Sequence, residues 1–127
     1  MWPFKKSAQS CVVLIDIGSS SVGGAYTAFE KGKPPTMYYT VRLPIDTREG
    51  ESIDNAMLRT LQDVHTYLIR DGAPLVHREL GSAHIDEVLV SVAAPWQETR
   101  VKTETIAPGK PFIFTKAMLS DVVSAIE

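Results

Sequence analysis

With 127 residues, 44% of them hydrophobic and 22% charged, the chain has the make-up of an ordinary globular domain large enough to enclose a core. A formal net charge of −2 gives no one-signed field to attract nucleic acid. The longest unbroken apolar run, Cys11 to Ile15, falls far short of the roughly 20 residues a membrane-spanning helix needs.

The first ten residues form an N-terminal peptide, 1–10, that opens Met1-Trp2-Pro3-Phe4-Lys5-Lys6. Two aromatics beside two cations, without an apolar stretch, do not make a signal peptide. The expectation is a frayed terminus; a weak surface anchor or docking peptide is the alternative. Cys11-Val12-Val13-Leu14-Ile15, a short branched-apolar run ending in Asp16 and Gly18, reads as a central strand buried on both faces. Cys11, the single cysteine, is expected to serve as a small buried hydrophobe, which fits a reducing compartment. Val22 to Phe29 reads as a second strand, Lys31-Gly32-Lys33-Pro34 as a turn, and Thr36 to Leu43 as a third strand. Together they make a three-stranded antiparallel meander.

The period then changes. Ile53, Met57, Leu61, Val64 and Leu68 mark one face of an amphipathic helix over 52–71, capped by Ser52 and stopped by Gly72 and Pro74. Glu51, Asp54 and Asp63 are read as its solvated face, with acid-base residues as the alternative. The stretch Ala73 to Asp86 has no clear pattern. Glu87 to Ala94 reads as a buried strand closed by Pro95, and a right-handed crossover lays it parallel to the first strand. The predicted class is therefore α/β, a ribonuclease-H-like mixed sheet spanning 11–95. Beyond it, 96–127 is expected to begin a small inserted subdomain. There Gln97 to Ile106 alternates as a half-exposed strand, Ala107-Pro108-Gly109-Lys110-Pro111 breaks it, and Thr115 caps a final helix carrying Met118, Leu119, Val122, Val123 and Ile126. That helix reaches Glu127 without a stop signal, so the chain is read as part of something longer. His65, His77 and His84 have neither metal-ligand spacing nor cysteine companions and are expected to be structural or on the surface.

The residues that carry chemistry lie at the end of the first strand, in Asp16-Ile17-Gly18-Ser19-Ser20-Ser21. Ligands of open α/β sheets gather beyond the carboxyl ends of strands. Gly18 permits a tight turn and close backbone approach, and Ser19, Ser20 and Ser21 offer amides and hydroxyls that can nest around an anion. Asp16 is placed to hold a hydrated magnesium ion beside phosphate. The same residues also make ordinary turns. Because the string joins two strands and opens no helix, a Walker loop and a dinucleotide fingerprint are excluded.

Val13-Leu14-Ile15-Asp16-Ile17-Gly18-Ser19-Ser20-Ser21-Val22 resembles the first phosphate motif of the actin, sugar-kinase and heat-shock-chaperone superfamily, and most closely the FtsA and PilM group of actin-like ATPases. Phe4-Lys5-Lys6, the strand Glu87 to Val92 and the segment Gln97 to Glu127 resemble further parts of that group. The resemblance implies a bacterial scaffold that binds ATP and Mg2+ between two lobes at the inner face of the cytoplasmic membrane. Its members serve type IV pilus assembly by docking a short peptide of an inner-membrane pilus protein, or serve cell division through self-association. Asp16 would be the magnesium-side carboxylate, acting through water, and Gly18, Ser19, Ser20 and Ser21 the phosphate cradle. Family members often carry a lysine just after the turn, where this chain has Ser21-Val22-Gly23-Gly24, so no phosphate-neutralising cation is expected nearby. The later motifs of the family would lie beyond this length, so this stretch alone is not expected to hydrolyse ATP. A sugar- or acetate-kinase-like phosphotransferase and a degenerate module without nucleotide are the alternatives.

Overall fold

The computed structural model of the chain describes residues 9–126. The expectation for Met1 to Lys6 lies outside the described residues. Two compact units are present, one running to Gln97 and the other from Glu98.

In the first unit the strands β1 (Gln9–Ile17), β2 (Ser21–Glu30), β3 (Thr36–Pro44) and β4 (Glu87–Val92) form one mixed sheet in the order β3-β2-β1-β4. The meander is present as expected: β1 pairs with β2 and β2 with β3, both antiparallel. The turn before β3 is closed by the Lys33 amide donating to the Glu30 carbonyl at 3.0 Å, with Gly32 at φ +80°. The crossover lays β4 parallel to β1, pairing Leu14 with Leu89 and Asp16 with Ser91. Asp86 locks the start of this parallel pair. Its amide donates to the Cys11 carbonyl at 2.9 Å, and its carboxylate accepts from the Cys11 amide at 2.8 Å.

The crossover starts at α1 (Ile53–Tyr67), where the Ser52 hydroxyl accepts from the Asn55 amide and caps the helix as its sequence implies. The core lies between this helix and one face of the sheet. Cys11, Val13, Ile17, Val22 and Tyr26 from the strands meet Val64, Leu68 and Val76. The helix face that reaches the sheet is Ala56, Thr60 and Val64, with Met57 and Leu61 half-buried beside it. Ile53, expected on the buried stripe, is 48% exposed. Small residues occupy the centre because helix and sheet approach closely, and the Thr60 hydroxyl is satisfied by the Ala56 carbonyl at 2.8 Å.

The helix does not stop at Gly72 and Pro74, contrary to the sequence expectation. It passes through a π-helical turn, Leu68–Gly72, into α2 (Ala73–Leu80). Gly72 is itself helical, at φ −77° and ψ −49°, and Pro74, which has no amide to give, follows directly on the wider π turn that the Ala73 amide closes by donating to the Leu68 carbonyl. The glycine is needed for space. A Cβ there would lie 2.8 Å from the Tyr26 ring and 2.9 Å from the Tyr39 ring. The left-handed stop falls at Gly81, φ +76°, whose amide donates to the His77 carbonyl.

Two further expectations are corrected. β4 was expected to be buried, yet all its residues are exposed, because the helices pack on β2 and β3 and leave β4 at the edge. In the second unit, 98–115 has no regular structure, so the strand expected over Gln97 to Ile106 is absent. Alternation supplies two faces, but an extended segment is held as a strand only by a neighbour's hydrogen bonds, and among the described residues no strand pairs with this one. The final helix does form, as α3 (Lys116–Ile126), with the Met118 amide donating to the Thr115 hydroxyl at 3.3 Å. Its apolar positions Leu119 and Val123 are about half exposed, at 49% and 47%.

Candidate phosphate-binding corner

The β1–β2 turn stands at the carboxyl ends of the parallel pair β1 and β4, so that strand direction alone places Gly18 to Ser21 at the sheet rim. The turn is tight. The Gly18 amide donates to the Ser21 carbonyl at 2.9 Å, and a Cβ on Gly18 would sit 3.1 Å from that oxygen. The carbonyls around it are held from three directions: Ala93 donates to Ile17, Ile45 donates to Ser20 at 2.8 Å, and the Trp96 indole Nε1 donates to Gly18 at 2.7 Å. The turn is thus pinned by its oxygens.

Its nitrogens are available. Among the described residues the amides of Ser19 and Ser20 donate to no protein acceptor, and both residues are exposed. The Gly18 amide, by contrast, is used within the turn. The expected cradle therefore shrinks at its Gly18 end, where glycine supplies shape and no donor.

Asp16, next to last in β1, turns to the sheet face opposite α1. Its carboxylate accepts from Arg42 Nη2 of β3 at 2.8 Å, and Arg42 Nη1 donates to the Ser21 hydroxyl at 2.9 Å. The expectation that no cation stands near the turn is thereby overturned. The guanidinium reaches Asp16 across β2 because the residue between them is Gly23, in register with both; a Cβ there would lie 2.6 Å from Nη2. The pair is open to water, with side-chain exposures of 54% for Arg42 and 50% for Asp16. Asp16, Arg42 and Ser91 line a cleft of about 580 Å³ on this face, floored by Leu14, Ala25 and Leu89.

No group of three or more His, Cys, Asp and Glu side chains among the described residues is arranged to hold a metal directly. Asp16 is a single carboxylate and already accepts from Arg42, so a magnesium ion beside it would be held mainly by phosphate oxygens and water.

The other ionisable groups singled out in the sequence do not gather here. Cys11 is buried, and burial, with the Asp86 carboxylate second, pushes its thiol up, as befits an inert hydrophobe. His65, His77 and His84 are exposed. Glu51 is bound by Arg59 through both carboxylate oxygens at 2.9 Å and by the Arg48 amide, which hold it down at about 2. Asp54 and Asp63 lie on the exposed side of α1.

Sequence reading missed Arg42 and Trp96. Trp96 follows a strand and a proline, an ordinary exit, and nothing local ties it to a turn 78 residues earlier. Comparison with family models, with curated proteins and with solved structures finds no match to this chain. Among the described residues no helix is long and apolar enough to cross a membrane.

Proposed function

We propose that this chain is the first part of a bacterial actin-like ATP-binding scaffold of the FtsA and PilM kind, with a ribonuclease-H-like core. The corner at Asp16 and Gly18 to Ser21 receives the phosphates of ATP with Mg2+. One observation carries the reading: among the described residues, two exposed, unpaired amides in succession at the carboxyl end of a parallel strand pair, in a turn whose flanking Asp16 and Ser21 hold a guanidinium. The strand order, with β1 flanked by β2 and a parallel β4 reached through a helical crossover, supports the same reading. Topology alone does not name a chemistry, so the proposal stands on the corner. The wider role, in pilus assembly or cell division through a membrane-protein peptide at the inner membrane face, belongs to this proposal and rests on the motif resemblance.

The Asp16–Arg42 pair also favours a second reading, the degenerate module, in which the two charges satisfy each other and the corner takes no ligand. Calorimetry of the full-length protein with ATP and magnesium separates the two. Binding by the wild type, lost in Asp16→Ala with an unchanged melting temperature, is expected. A wild type that takes up no ATP, or an Asp16→Ala variant that binds it as tightly, would sink the nucleotide reading.

A further inference from the structure

Resting on that reading, we infer that Arg42 is the cation that engages the nucleotide's phosphate, and that Gly23 is the positioning residue that lets it do so. The guanidinium lies across the backbone of β2 at the rung Asp16, Gly23, Arg42, and a single Nη contact anchors each side: Nη2 on Asp16 and Nη1 on Ser21. A guanidinium carries five N–H donors, so two anchors leave donors over. The side chain is 54% exposed, and through the Ser21 hydroxyl it is tied to the end of the turn that carries the open amides of Ser19 and Ser20. A planar, always-charged fork held on two oxygens is suited to the paired oxygens of a phosphate, and neutralises charge that two neutral amides do not.

The rung also explains why Arg42 stands on this face. Between Tyr26 and Thr27 the β2–β3 register shifts by one residue, pairing Thr27 with Met37 but Tyr26 with Tyr39. Without that shift Val41 would face Gly23, and Arg42 would point to the helix-covered side. Anchored by Asp16, the guanidinium is ordered before any anion arrives, so little of its freedom remains to be lost on binding.

The test is calorimetry of magnesium–ATP on the full-length wild type, Arg42→Ala, Arg42→Gln and Gly23→Ala, with melting temperatures beside it. Loss of a charge-assisted contact to phosphate should weaken binding by about tenfold to a hundredfold in each Arg42 variant. Gly23→Ala should lose affinity too, although its arginine is intact, and should add nothing further in an Arg42→Ala background. A purely structural role would move the melting temperature and leave that coupling absent. Wild-type binding that survives in Arg42→Ala and Arg42→Gln but not in Asp16→Ala overturns this inference and leaves the nucleotide reading standing. A wild type without affinity for magnesium–ATP removes both.

Discussion

Gly23 and Gly24 are neighbours in one strand, yet they serve opposite faces of the sheet by the same absence. At Gly24 a Cβ would meet Val64 Cγ1 at 2.7 Å and Leu68 Cδ1 at 2.9 Å, two side chains that are buried and cannot yield. At Gly23 it would meet the end of Arg42, a flexible side chain half in water. On the covered face the missing methyl sets how close a helix comes, and on the open face it sets what a charge can reach. Strand glycines therefore divide into those that stability needs and those that chemistry needs, and only the neighbour met by the missing atom tells them apart.

The comparison can be broken at Gly24 first. Gly24→Ala overpacks the core against α1 and should cost about 1–3 kcal/mol, read as a lower denaturation midpoint at constant slope. An unchanged midpoint would mean that the helix stands farther off than described. The next test sets a shielded ion pair against the exposed one. Glu51 is held at about 2 against an ordinary 4.5, first by the Arg59 guanidinium and then by the Arg48 amide. Its folded value is depressed, so its contribution is complete above 4.5 and disappears as pH falls toward 2. The melting-temperature gap between wild type and Glu51→Gln should accordingly be open at neutral pH and close through that window. A gap independent of pH would assign the effect to shape. The smallest change belongs to Gly23→Ala, whose exposed ion pair is worth little, so stability should stay within about 0.5 kcal/mol. A drop as large as that at Gly24 would erase the distinction between the two faces.

How far the sequence could be read follows the range of the interactions involved. The meander, the Ser52 cap and the parallel return of β4 were legible because apolar runs broken by turn residues, capping and the crossover rule act locally or by rule. The passage of the helix through Gly72 was not. Glycine followed by proline is a stop by composition, and it was overridden by two tyrosine rings from β2 and β3 that only a folded chain brings there. The burial of β4 was misjudged because an apolar run records what a strand tolerates, and says nothing of where the helices lie. At the candidate corner Asp16 and the serines were visible as a string. Arg42 was hidden by the one-residue slip at Tyr26, since counting back from the turn near Gly32 without it puts the arginine on the wrong side.

The indole bond from Trp96 to the Gly18 carbonyl has a practical side. A fluorophore is wired to the backbone of the very loop that a polyphosphate would load, at 2.7 Å. Ligand-driven changes in that loop's polarity would thus register in the protein's own ultraviolet emission, without any attached dye.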